Sequence, residues 1–358
     1  MIDDSTRPDG TNGRRPTMAD VARAAGVSRA LVSLVFRNKP GAGEETRQRV
    51  LQAADRLGYQ PDTAARMLAS HRSRTLGVML TVHQPFQADL VEVIYPEAER
   101  LGYEVLLSAT APSRDERKAV EALLSHRCEA LILLGPRAEA DLLDELGRRA
   151  VVTAINAREE ATRIDNVRTA DEAGMRQAVD HLVDLGHREL VHVDGGDEPG
   201  SAGRREAYLR AMDAHGLGSR ARVLPGAHTE QAGQDSARRL LDEAVLPTAV
   251  LAGNDRCALG LLRVFALAGV DVPEAISIVG YDDSHVSHLA PVALTTIRQD
   301  AEQMARHAVR LAVERLEDAS RNPQEVVLDP RLVSRGSTAP PRCALKTCSS
   351  TQRAWRCG

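Results

Sequence analysis

Aromatic residues are scarce in this chain, 3% of 358 residues, with one Trp, three Phe and five Tyr. Few flat surfaces are therefore available on which a base or a sugar ring can stack, so any aromatic near a binding site matters. Cysteine offers no framework either. Cys128, Cys257, Cys343, Cys348 and Cys357 include no close Cys-x-x-Cys pair and no His at metal-ligand spacing, so the thiols read as idle and no metal is expected. Apolar runs such as Ala130–Leu134 fall far short of the roughly 20 residues that a membrane helix needs. Residues 1–15 are polar, without the apolar core of an export signal, and read as a disordered leader on a cytoplasmic, nucleoid-associated protein. A nucleophile elbow, a phosphate-cradling GxxxxGK and a dinucleotide GxGxxG after a strand are all missing, so neither an enzyme nor a cofactor is expected. Gly195-Gly196 and the scattered Asp pairs read as turn and cap residues.

What is present begins at residues 17–37, TMADVARAAGVSRALVSLVFR. Thr17 followed by Asp20 is a capping-box pattern that opens a helix at Met18, with Val21, Ala22 and Ala25 on one face and Gly26 as its stop. Ser28 caps a second short helix whose Val32 and Val35 pack inward, leaving Arg29, Ala30, Ser33 and Leu34 outward. Two helices about a tight turn read as a helix-turn-helix, and the outward face is the one a major groove meets. A third amphipathic helix follows over Glu44–Leu57, with Val50, Ala53, Ala54 and Leu57 apolar and Gly58 at its end. Charge agrees with this division. Residues 1–74 carry 13 Lys and Arg against 8 Asp and Glu, and the remainder 33 against 42, so a basic head precedes an acidic body.

From residue 75 onward, short apolar runs alternate with helical stretches. Runs at 76–80, 104–108, Ala130–Leu134, Val151–Ile155, Leu190–Val193, Ala249–Ala252 and 277–281 read as buried parallel strands, with helices such as 170–185 and 230–244 between them. That is a βαβ chain with crevices at the carboxyl ends of its strands. The stretch is too long for one comfortable doubly wound unit, and two lobes about a cleft are the economical solution. Asn254-Asp255 and Asp282-Asp283 each follow a strand, so their polar groups converge where two loops leave the sheet. Amides and carboxylates there suit hydroxyl-rich ligands, since each sugar oxygen both donates and accepts. Asp255 and Asp283 read as caps of the following helices.

Several segments in linked order resemble the lactose-repressor and galactose-repressor family of bacterial transcription regulators. They are MADVARAAGVSRALVSLVFR, EETRQRVLQAADRLGYQPD and AARMLAS in the head, and HLVDLGHREL, GNDRCALGLL, SIVGYDDS and LTTIRQD in the body. The likeness spans residues 16–341. It implies an all-α helix-turn-helix head plus an α/β two-lobed, periplasmic-binding-protein-like effector domain, in which the chain crosses between lobes more than once, one crossing falling near 295–300. The divisions expected are a head over 16–60, a hinge helix and linker over 61–74, the two-lobed effector and dimerisation domain over 75–336, and a disordered tail over 337–358. In the hinge, Leu68 matches the family's leucine that wedges into the minor groove at the operator centre; a linker Leu packing on the body is the alternative. Arg204, Asn254 and Asp282 match direct effector contacts, Phe86 lines the cleft from the other lobe, and His228 falls where some members offer a stacking face. A surface Arg, a core Phe and a solvated His are the plain alternatives.

The recognition helix departs from the family pattern. Where many members have V-S-R, this chain has Val32-Ser33-Leu34, which removes an Arg that could take a guanine edge. Arg29 is left to supply that contact, with Leu34 against a thymine methyl and Ala30 and Ser33 completing the reading set. Ala42-Gly43 stands for the more usual Val-Ser. Thr17, Ser28 and Thr46 are phosphate candidates, each of which also serves as a helix cap. The resulting reading is a sequence-specific DNA-binding repressor, a homodimer on an inverted-repeat operator, whose affinity is set allosterically by a small molecule in the cleft. A sugar or related polyol is the first expectation for that molecule. A purine or nucleoside is the alternative, and a stand-alone solute-binding protein the remoter one.

Overall fold

The computed structural model describes residues 16–36, 40–59, 72–157, 161–289 and 293–341. Leu68 and the expected hinge helix around it, residues 1–15 and residues 342–358 lie outside the described residues. The chain divides into two compact units, residues 1–73 and 74–358.

The first unit is three helices, α1 (Met18–Ala25), α2 (Arg29–Phe36) and α3 (Glu44–Leu57). Asp20 accepts hydrogen bonds from the Thr17 N–H at 2.9 Å and from its hydroxyl at 2.6 Å, which fixes the start of α1. Gly26 and Gly58 end α1 and α3 in the left-handed conformation that glycine adopts at low cost. Val21, Val32 and Val50 are fully buried where the three helices meet, joined by Ala22, Ala25, Val35, Ala53 and Ala54. Arg47 on α3 donates to the carbonyl of Val35 at 3.2 Å and ties the end of α2 to the bundle.

The second unit holds two six-stranded sheets. Lobe 1 contains β1 (Thr75–Thr81), α4 (Pro85–Arg100), β2 (Glu104–Thr110), α5 (Glu116–Ser125), β3 (Ala130–Leu134), α6 (Ala140–Arg149), β4 (Val151–Ile155) and β5 (Asp165–Thr169). Lobe 2 follows with α7 (Asp171–Asp184), β6 (Leu190–Val193), α8 (Ser201–Ala214), β7 (Arg222–Leu224), α9 (Glu230–Leu241), β8 (Ala249–Ala252), α10 (Asp255–Leu267), β9 (Ser277–Asp282) and β10 (Thr295–Arg298). The chain then returns to lobe 1 with α11 (Ala301–Glu317) and β11 (Glu325–Leu328), and ends in lobe 2 with β12 (Arg331–Val333). Strand order is β11-β5-β4-β3-β1-β2 in lobe 1, all parallel, and β12-β10-β9-β8-β6-β7 in lobe 2, where only β12 is antiparallel. The chain thus crosses between lobes three times, at Ala170, at Gln299-Asp300 and at Asp329-Pro330. In lobe 1, α4 and α11 cover one face of the sheet through Leu90, Ile94, Met304, Ala308 and Ala312.

Of the strands absent from the sequence reading, β5 and β10 carry polar residues at buried positions. β5 reads Asp-Asn-Val-Arg-Thr and alternates in burial, yet its fully buried Asp165 is satisfied by Arg315 at 3.1 Å and by the N–H of Gln324 at 2.8 Å.

The expected disordered tail begins too early at residue 337. Ser337 is fully buried, its hydroxyl donating to the carbonyl of Ile278 at 2.6 Å and accepting from the N–H of Thr295 at 2.8 Å, while its own carbonyl accepts from Ile278. The carbonyl of Ala339 is held by His187 at 2.9 Å and by Ser277 at 3.1 Å. Residues 337–341 therefore belong to lobe 2, because β9 and β10 would otherwise leave backbone groups unpaired in the interior. Ser337→Ala removes both side-chain partners and is expected to cost about 1–3 kcal/mol, read as a drop in the midpoint of urea unfolding with an unchanged slope. An unchanged midpoint contradicts the assignment.

Candidate functional site

The head presents its candidates on one side of α2. Arg29 and Ala30 are exposed, Ser33 and Leu34 half-buried. Gly41 lies so close to Leu34 that a Cβ there would come within 3.3 Å of its methyl, so Leu34 is partly covered by the following loop. Ser28 accepts from the N–H of Leu31 at 3.2 Å, and the Thr17 hydroxyl donates to Asp20. Both act as caps. Thr46 stands half-exposed in the first turn of α3.

In the body, Phe86, Arg204, His228, Asn254 and Asp282 all line one cavity of about 60 Å³, at the carboxyl ends of strands from both lobes. Arg204 is buried in α8 rather than on the surface. Its Nε donates to Asp171 at 3.0 Å and its Nη1 to the carbonyl of Gly253 at 3.0 Å. The guanidinium lies 3.7 Å over the ring of Tyr281, whose hydroxyl donates to the same Asp171 oxygen at 2.7 Å. Burial alone would lower the Arg204 pKa, but Asp171, Tyr281 and Asp282 hold it above its ordinary value. Its charge is fixed.

Asn254 is the N-cap of α10, its side-chain oxygen accepting from the N–H of Cys257 at 2.9 Å. The cap leaves its amide NH₂ for the cavity. Asp255, expected as the cap, is instead the first residue of the helix; its buried carboxylate accepts from Thr296 at 2.6 Å and from the N–H and hydroxyl of Ser284 at 2.8 and 3.0 Å. Asp283 is not a cap either, since it accepts from Ser287 and from Arg335. His228 is buried, not solvated, with Nε2 3.3 Å from the Ser201 hydroxyl. Burial, followed by the charge of Arg204, pushes its pKa well below the ordinary value, so the ring is neutral. Gly195 is more than a turn residue here: a Cβ would fall 2.1 Å from Ser201 Oγ and 2.2 Å from His228 Nε2. Phe86 serves in both of its expected roles, packing in the lobe 1 core and lining the cavity.

The sequence reading missed Asn156, Gln299 and Gln87, which line the same cavity. Gln299 sits at the second crossing. Its amide oxygen accepts from Thr169 at 2.8 Å and from Asn156 at 3.1 Å, and its NH₂ donates to Asp282 at 2.7 Å. Gln87 accepts from the N–H of Thr81 at 2.6 Å. Asn156 follows β4 as Asn254 follows β8, so the strand-end logic would have found it. Further contacts close the lobes together. Asp89 on α4 takes the ring and the N–H of His285 at 2.6 and 3.0 Å, and Arg137 pairs with Glu198.

Burial pushes the Asp282 carboxyl up to about 7, against the partial relief given by Arg204 and Gln299. Asp282 also holds a backbone φ of 123° and Asp283 one of 54°, conformations that asparagine tolerates better than most residues. In the unfolded chain Asp282 ionises near 3.8, so the stability it supports is complete below that pH and is lost as pH rises through about 7. Asp282→Asn is expected to raise the unfolding temperature at pH 8 by several degrees, with the gain shrinking steadily toward pH 4. A gain independent of pH contradicts the buried, neutral carboxyl.

A three-helix head of the helix-turn-helix kind, in one chain with two lobes closing on a polar cavity, is the build of a ligand-responsive DNA-binding protein. The model for the lacI family of bacterial regulatory proteins matches residues 17–62, and that for a periplasmic binding protein-like domain matches residues 179–338. The chain is 31% identical over 328 residues to catabolite control protein A of Priestia megaterium, covering 90% of this chain and 99% of that relative. Among solved structures, a LacI transcriptional regulator from a Rhodococcus species is 47% identical with a TM-score of 0.72, over 74% of this chain and 98% of that one. The lac repressor dimer bound to operator and the anti-inducer ONPF is 27% identical with a TM-score of 0.78, over 91% of this chain and 100% of that one. The chain belongs to the lacI family of DNA-binding transcriptional regulators, which respond to small-molecule effectors. Among the described residues no helix is long and apolar enough to cross a membrane.

Proposed function

We propose that the chain acts as a homodimeric repressor on an inverted-repeat operator and that a sugar or related polyol in the cleft sets its DNA affinity. The observation that carries the effector reading is the polar cavity in which Arg204, His228, Asn254 and Asp282 of lobe 2 meet Asn156 and Phe86 of lobe 1. It supplies charged and amide donors beside carboxylate acceptors, which matches the mixed needs of hydroxyl groups. A cavity of about 60 Å³ holds a few waters, so binding requires the lobes to part. A ligand that takes Asp282 from Gln299 loosens the tie to Asn156 and Thr169 and shifts the balance between lobe orientations. The dimer reading draws on the lac repressor relative, solved as a dimer on operator. Leu68 is assigned the minor-groove wedge, Arg29, Ala30, Ser33 and Leu34 the base edges, and Thr17, Ser28 and Thr46 the phosphates.

Selection of sites from a random DNA pool by the purified chain tests the regulator reading: enrichment of an inverted repeat with a pyrimidine-purine centre is expected, and no enrichment with or without metabolite extract defeats it. Arg29→Ala is expected to relax one position of that site at a cost of about 1–3 kcal/mol, whereas an unchanged site removes Arg29 from base reading. Asn254→Asp keeps the helix cap and removes the NH₂ donor. It is expected to leave operator affinity within about twofold while weakening the effector's influence tenfold or more, roughly 1.4 kcal/mol; a full effector response excludes Asn254 from the ligand contacts.

A further inference from the structure

The lobes also meet outside the cleft, at a turn. Residues His285–His288 form a single turn after β9, and it packs on α10 of its own lobe and on α4 of lobe 1. Asp89 on α4 holds it from across the lobe boundary. One carboxylate oxygen accepts from the N–H of His285 at 3.0 Å, and the other lies 2.6 Å from its ring Nδ1. The Asp89 side chain is 20% exposed and that of His285 54%, so the carboxylate is largely covered while the ring reaches solvent. A neutral ring makes this bond only as the Nδ1–H tautomer, whereas a protonated ring donates from both nitrogens and adds its charge.

The other charges around the turn are engaged elsewhere. Asp283 accepts from Arg335, with His288 and Arg298 each 3.9 Å from it. On α10, Asp255 is bonded to Ser284 and Thr296, and Arg256 pairs with Glu230. On α4, Glu92 stands exposed one turn beyond Asp89. Another bridge between the lobes joins Arg137 to Glu198, but arginine keeps its charge at every relevant pH, so that bridge gives no response of this kind.

We propose that Asp89 and His285 form a proton-dependent latch that holds the two lobes closed. A histidine changes charge between pH 5 and 8. The charged ring favours the closed form, in which it meets Asp89, over an open form in which it meets water. The latch is therefore complete at the acid end of that range and is lost as pH rises through it. Acidification biases the body toward closure before any effector arrives, whichever ligand the cleft takes.

Asp282 titrates in the same sense, burial pushing it up to about 7, so the background for the test is Asp282→Asn, which silences it. Hydrogen exchange of the ligand-free full chain at pH 6 and pH 8, corrected for the intrinsic rate and resolved to single residues, reads the bond from the His285 N–H to Asp89 directly. Its protection is expected to fall about threefold or more between the two, within what a partly exposed ion pair supports. Adding His285→Gln, which keeps a donor but takes up no proton, is expected to remove most of that change. Adding Asp89→Asn is expected to lower the protection at pH 6 to the pH 8 level. The radius of gyration from small-angle X-ray scattering is expected to be larger at pH 8 than at pH 6, and the same at both once His285→Gln is added. Protection that ignores pH, a change that survives either added substitution, or a change in protection with no change in radius overturns the proposal.

Discussion

A buried guanidinium organises the body. Arg204 lies in the interior of lobe 2, where an unpaired charge costs several kcal/mol, and its compensation comes from three directions: the Asp171 carboxylate, the Gly253 carbonyl and the Tyr281 ring. Each partner sits at a structurally decisive place. Asp171 opens α7 directly after the first crossing, Gly253 directly follows β8, and Tyr281 lies near the end of β9. Satisfying one charge therefore fixes a crossing strand against the floor of the cleft. Removing Asp171 takes from the buried guanidinium its ion-paired carboxylate, so the arrangement tolerates change poorly even though the pair adds little net stability.

The second constraint is the amide of Gln299. One side chain at the second crossing accepts from lobe 1 through Asn156 and Thr169 and donates to lobe 2 through Asp282. A primary amide can hold both ends only in one orientation, so the contact registers whether the lobes are closed. Asp282 is the member a hydroxyl-bearing ligand can compete for. It is also the member whose charge is least secure, since burial holds its carboxyl near neutrality while Arg204 draws it toward the ionised form. Under the proposed reading, an effector that donates to Asp282 would favour the carboxylate and would compete with Gln299 for its oxygen. Coupling of this kind needs only a differential contact between two lobe orientations.

Much of this was legible in the sequence. The head was read to its residue boundaries because capping, glycine stops and apolar spacing all point the same way in α1 and α3. Four largely apolar strands, β3, β4, β6 and β8, were read to their exact ends because their short apolar runs are sharply bounded. The cleft set of Phe86, Arg204, His228, Asn254 and Asp282 also lies together, five positions drawn from separate loops and helices. What escaped shares a physical cause. β5 and β10 are rich in polar residues whose partners, such as Arg315 for Asp165, lie far along the chain, so periodicity carries no signal for them. Gln299 escaped because it directly follows β10, a strand that was read only as a crossing. Ser337 escaped because a Ser-Pro-rich composition looks disordered, whereas two backbone groups of β9 and β10 require it.

The recognition helix shows why family membership does not transfer a binding sequence. Leu34 stands where many relatives place an Arg, and Gly41 packs against it. A Leu partly covered by its own loop offers a methyl surface to a groove but no bidentate donor, so discrimination there can come only from apolar contact with thymine and not from a guanine edge. The residues of the reading set able to hydrogen-bond a base edge on α2 reduce to exposed Arg29 and half-buried Ser33. Under the proposed reading, so short a direct code shifts more of the specificity to operator shape and deformability.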